Sequence, residues 1–240
     1  MNITPVFSLL MLWTVFGFPS LTSQATESWE TALSRMPLTN GIAELNSATC
    51  VPSMLTALQS NDVVKALIFM PGATDEFYFF RRAKATLTHS APTLLDAVNA
   101  LISQTRIRAT FSPPLILLHT QEDPVQPLIK VENETLAQEI RAIRFVEHAV
   151  YQDQDWMVMQ PILRKALKAD VLPSGHSPDS WHFYRHSFAG WNLNGWEAVQ
   201  AVVLAGKTTC KIQKQGGLSL RRRVLFFELD RRVIAGPVAK

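Results

Sequence analysis

Between Gly175 and Trp196 the chain reads GHSPDSWHFYRHSFAGWNLNGW. Three of its six histidines (His176, His182, His186) and three of its six tryptophans (Trp181, Trp191, Trp196) fall in this span. One chemistry that suits the mixture is metal binding. His182 and His186 stand four apart, so on a helix they would share a face that a divalent metal could bridge. His176 and Asp179 are close enough in sequence to complete the ligand set. On a strand, His182, Tyr184 and His186 would alternate onto one side. The pattern lacks the Glu that follows the first His in H-E-x-x-H zinc proteases, so it specifies neither a metal nor a reaction.

The other chemistry is recognition by flat apolar faces with polar edges. Trp181, Tyr184, Trp191 and Trp196, with Arg185, Asn192 and Asn194, suit a glycan, a peptide or a protein surface. The same residues also suit a packed aromatic plug whose ring nitrogens bond to backbone carbonyls.

Carboxylates form a further candidate. Three apolar segments each run into an acidic turn: Asp75-Glu76 after Met70, Glu122-Asp123 after His119, and Asp153 with Asp155 after Tyr151. If the three strands run parallel, these turns gather at the carboxyl edge of a sheet, where α/β proteins bind ligands. There the acids could hold Mg²⁺ or Ca²⁺, or divide acid and base roles. Capping of helix N-termini accounts for the same acids without any site.

Other catalytic patterns are missing. Ser174, Ser177, Ser180 and Ser187 lie near histidines, but there is no G-x-S-x-G elbow. No glycine-rich loop of the nucleotide-binding kinds occurs. Arg221-Arg222-Arg223 sits beside apolar neighbours and suits edge protection of a strand better than nucleic-acid binding. Asn133-Glu134-Thr135 has the pattern of a glycosylation acceptor.

The elements that must position these groups alternate between helix and strand. Helical spacing marks Trp29 to Met36, and a second helix covers Pro52 to Ser60 with its proline in the first turn. Val63 to Met70 and Leu115 to Leu118 are apolar runs of buried-strand type, and Arg106 to Phe111 alternates as a half-buried strand. Thr74-Asp75-Glu76 opens one helix. Thr93 with Asp96 has capping-box spacing and opens another. Residues 134–150 read as a helix followed by a strand, with one long helix as the alternative, and Asp153 to Trp156 opens a helix reaching Leu167, which Pro161 is expected to kink or whose true start it marks. Residues 169–193 lack clean periodicity and read as a long ordered loop. A helix from Gly195 to Ala205, stopped by Gly206, precedes a hairpin of 208–213 and 218–229. The expected class is α/β or α+β: a mixed sheet flanked by helices, with an antiparallel C-terminal hairpin.

Composition bounds the rest. Hydrophobic residues make up 47% and charged residues 18%, which suits a folded globule and not a disordered chain. Val6 to Phe18 is almost wholly apolar but shorter than a membrane span, and Ser23-Gln24-Ala25 follows as a small-x-small site. Residues 1–25 therefore read as a cleavable signal peptide, although their first five residues carry no Lys or Arg. Residues 26–240 then form a single globular domain that meets a membrane only in transit. Cleavage removes no charged side chain, so the formal +3 belongs to the mature domain. Export to a periplasm, a secretory lumen or the cell exterior permits a Cys50–Cys210 disulfide; two buried free thiols are the alternative. The reading that results is an exported, non-catalytic binding or structural domain with its contact surface at 176–196. A hydrolase, metal-dependent or acid/base, using His182, His186 and the acidic turns is the alternative.

Overall fold

The computed structural model describes residues 27–38, 42–70, 82–120, 126–173, 185–215 and 222–229. The signal-peptide reading therefore lies outside the described residues. So do the acidic turns at 75–76 and 122–123, and His176, Asp179, Trp181, His182 and Tyr184.

In chain order the elements are α1 (Trp29–Ser34), β1 (Glu44–Leu45), α2 (Cys50–Ala57), β2 (Ala66–Met70), β3 (Ala85–Thr86) and α3 (Leu94–Gln104). They continue with β4 (Arg108–Ser112), β5 (Leu115–His119), β6 (Ile129–Val131), α4 (Glu134–Ala142), β7 (Arg144–Asp155) and α5 (Trp156–Leu167). The last are β8 (Asp170–Pro173), β9 (Arg185–Asn194), α6 (Gly195–Ala205), β10 (Thr208–Gln215) and β11 (Arg222–Leu229). A mixed five-stranded sheet has the order β4-β5-β2-β9-β7, a four-stranded sheet the order β6-β10-β11-β8, and β1 pairs with β3 apart from both. The expected class holds, and the C-terminal hairpin is antiparallel as read. The hairpin forms the centre of the second sheet, flanked by β6 and β8 in parallel pairing.

Alternation along β2 and β5 assigns the two faces of the larger sheet. Ala66, Ile68, Met70, Leu115 and Leu117 enter one apolar cluster, while Leu67, Phe69, Ile116 and Leu118 enter the other. On the second face lie α1, α2 and α3; on the first lie α4, α5 and α6, backed by the smaller sheet. Helix α6 packs on β2 and β9 at one side and on β10 at the other. Its sequence shows why: GWEAVQAVVLA is apolar nearly all round, as a helix enclosed between layers must be.

Several local signals act as expected. Thr93 and Asp96 form a reciprocal capping box at the start of α3. Burial works against the Asp96 carboxylate, but hydrogen bonds from the Thr93 N–H and hydroxyl and from His89 outweigh it and hold its carboxyl below the ordinary value. Replacing Thr93 by Ala is expected to cost about 1 kcal/mol in urea unfolding at pH 7. Because the Asp96 pKa is depressed, its contribution is full at neutral pH and is lost as pH falls below the ordinary 3.8.

Three expectations need correction or a choice. Residues 169–193 are not one long loop, since β8 and β9 occupy 170–173 and 185–194. Strand β9 lies inside the sheet with apolar layers on both faces, so it lacks the two-residue alternation of a half-exposed strand. Pro161 lies inside α5, which already begins at Trp156, so the proline does not mark the helix start. Cys50 and Cys210 are both free, buried thiols. They belong to the two clusters on opposite faces of the five-stranded sheet. Burial pushes the Cys50 thiol up to about 12 and the Cys210 thiol up as well, so both stay protonated and unreactive.

Candidate functional site

The strand directions bring the ends of β2, β5 and β7 to one edge. Strands β2 and β5 are parallel, and β9 runs antiparallel to both β2 and β7. Thus β2, β5 and β7 all point the same way, and Met70, His119 and Asp155 end at a common edge. This is the arrangement on which convergence of the acidic turns depended. Arg185, where the His/Trp segment enters β9, lies at that edge opposite Asp155.

At this edge the register sets a row of side chains across the sheet. Arg108 pairs with His119, His119 with Met70, and His186 with Gln154, while Phe69 pairs with Ser187, so that Met70 lies between the two histidines. His119 is buried and shares a 2.8 Å hydrogen bond between its Nε2 and the Thr110 hydroxyl. His186 is fully buried, and its Nδ1–H donates to the Gln154 carbonyl at 3.2 Å. Nδ1 therefore carries the proton and Nε2 a bare lone pair. Among the described residues Nε2 has no hydrogen-bond partner, and it is turned against Gly206 at the end of α6. Burial depresses the His186 pKa to about 4 against small opposing effects of the Gln154 carbonyl and Asp155, so the ring is neutral at pH 7.

A metal ion reaching Nε2 would have to displace the backbone where α6 turns into β10. The ring packs 6.0 Å from Trp156, which in turn meets Phe227 of β11 at 4.9 Å. His186 and Trp156 thus join the two sheets. The Asp155 side chain caps α5 by accepting from Val158 N at 3.0 Å. Asp153 has a positive φ of 53°, its N–H donates to the Ser187 hydroxyl, and its carbonyl accepts from Arg185 Nη1.

The two described tryptophans of the segment are separated by the sheet. Trp191 packs with the cluster of α1 to α3, and Trp196 with the cluster of α4 to α6. The Trp191 indole N–H donates to Leu58 O at 2.7 Å, and His148 stacks on the ring at 4.2 Å with a 23° tilt. The Arg141 guanidinium covers Trp196 at 4.3 Å. Asn192 accepts from Arg144 at 3.1 Å, and Asn194 caps α6 through a capping box with Glu197. Glu197 also receives Lys65 Nζ at 3.0 Å, tying α6 to the start of β2. A single aromatic platform containing both Trp191 and Trp196 is therefore not assembled. Among the described residues, no group of three or more His, Cys, Asp or Glu side chains comes together as metal ligands would.

No protein-family model, no curated protein and no solved structure matches the chain. Sequence reasoning did not single out His148 or Lys65, and it read Gly206 only as a helix stop. The first two act through cross-strand and sheet–helix contacts that leave no local pattern. The Asn194-x-x-Glu197 spacing was the visible sign of the box that holds Glu197 in place.

Proposed function

We propose that the chain is an exported, non-catalytic binding domain, with its contact surface at the sheet edge where the His/Trp segment joins β9. The observation that carries this reading is the commitment of His186, Trp191 and Trp196 to internal contacts. His186 is sealed between β9, β7 and the α6–β10 turn, Trp191 is tied to Leu58, and Trp196 lies beneath Arg141. These side chains build the scaffold that holds the edge in place. Contact chemistry is left to the segment's first half, where Trp181, His182 and Tyr184 supply aromatic faces and ring nitrogens. The surface takes a glycan or a peptide, which use flat apolar faces with polar rims.

The test is a glycan and peptide array probed with the mature protein and with Trp181→Ala and His182→Ala variants. Binding that falls about tenfold or more in these variants, with thermal stability retained, is the expected result. No signal on either array, or signal that survives both substitutions, contradicts it. No helix among the described residues is long and apolar enough to cross a membrane.

A further inference from the structure

Strand β7 is the outermost strand of the five-stranded sheet, and at 12 residues it is long for an edge. Among the described residues no strand pairs with its outer side. Such edges are commonly blocked by Lys, Pro, other charges or bulges; RFVEHAVYQDQD has no Lys or Pro, and its charges lie outside the stretch from His148 to Tyr151. Its two irregularities fall near the ends, between Arg144 and Val146 and between Tyr151 and Gln154. The stretch from His148 to Tyr151 keeps regular register, and Val150 within it is 37% exposed.

We propose that β7 is the contact edge of a symmetric homodimer, two copies pairing their β7 strands antiparallel about a two-fold axis at Ala149. Backbone direction permits this. The Trp191 N–H donates to Lys65 O, so Trp191 turns its backbone groups toward β2, and Gly190 turns its own toward β7. Ala149 pairs with Gly190 and faces inward; His148 and Val150 therefore turn their N–H and C=O groups outward. Pairing about Ala149 sets each His148 opposite Val150 of the second copy, where they exchange hydrogen bonds.

Charge selects this register and this partner. With Ala149 on the axis, Arg144, which also pairs with Glu147 of its own strand at 3.2 Å, lies opposite Gln154 of the second copy with Asp153 and Asp155 at the flanking positions, and symmetry repeats the arrangement. Moving the axis to Val150 places Glu147 against Asp153 of the second copy, a like-charge pair that is destabilising. Moving it to His148 sets Arg144 opposite Gln152 of the second copy, beside Asp153 but away from Asp155. A basic beginning and an acidic end make the strand complementary to an antiparallel copy of itself. An isologous two-fold contact of this kind is the commonest in soluble oligomers.

The test uses the full mature chain in sedimentation and in cross-linking. Wild type is expected to sediment at twice the chain mass at micromolar concentration. Val150→Lys, at an exposed position, is expected to keep its melting temperature and raise the dimer dissociation constant about 100-fold or more. Ala149→Cys should form a disulfide-linked dimer under mild oxidation by diamide, because the two Cα atoms face each other in a non-hydrogen-bonded pair. Gln152→Cys, far from the axis, should not. The buried native thiols of Cys50 and Cys210 leave the readout to the introduced cysteine. A wild type that is monomeric at about 100 μM overturns the proposal. So does a Val150→Lys dimer of unchanged affinity, or cross-linking through residue 152 but not 149.

Discussion

Gly206→Ala is expected to destabilise the protein by about 3 kcal/mol, the upper end for adding a methyl to a close-packed site. The sign is the informative part. Gly206 has φ −86° and ψ 0°, which Ala adopts freely, so backbone entropy alone would make the substitution stabilising. The close approach reverses this. A Cβ at 206 collides with His186 Nε2, and the ring has nowhere to go, being fully buried and bonded to Gln154. Urea unfolding at pH 7 measures the loss. In the Gly206→Ala/His186→Ala double variant the smaller side chain removes the collision, so the two costs should fall well short of additive. Additive costs would place the strain elsewhere.

Acidification gives the other large effect, and it acts through the same histidine. The folded pKa of about 4 lies below the ordinary 6.5, so between these values the unfolded chain binds more protons than the native one. Stability from His186 is complete above pH 6.5 and declines as pH falls toward 4, by about 3 kcal/mol in all. Below pH 4 this contribution is constant, and carboxylates such as Asp96 govern any further loss. Urea unfolding at intervals from pH 7 to pH 4 should show the decline in wild type. The His186→Gln variant, which has no imidazole to protonate, should show a shallower slope over that range. Equal slopes would mean that the histidine is not the group being titrated.

What could be read in the sequence was whatever is decided locally. The Thr93–Asp96 box, the helix stop at Gly206 and the helix-to-strand change within 134–150 depend on neighbours a few residues apart. The acidic turns were read conditionally: β2, β5 and β7 do share a direction, but the turns at 75–76 and 122–123 lie outside the described residues, and Asp153 and Asp155 lie within β7 and not in a turn after Tyr151. Residues 185–194 were missed as a strand for a physical reason. Both faces of β9 are covered, and Asn192 interrupts it with a positive φ of 47°. The expected single sheet became two because β6 and β8 join the C-terminal hairpin through pairings distant in sequence. The all-apolar sequence of α6 was the available sign of a helix with layers on both sides.

The candidate site was legible as composition and much less so as arrangement. Clustering of histidine and tryptophan between 176 and 196 suggested one surface. Strand geometry instead sends His186 inward, Trp191 to one face of the sheet, and Trp196 to the other. Spacing along a chain cannot show that division when the strand is taken for a loop.

Elemental analysis of the protein, purified without chelator or histidine tag, tests the central reading most directly. If His186 belongs to the scaffold and the domain is non-catalytic, no metal should be retained in stoichiometric amount, and His182→Ala should leave the metal content unchanged. One metal ion per chain, lost on combining His182→Ala with His186→Ala, would contradict that reading and favour the metal-dependent hydrolase.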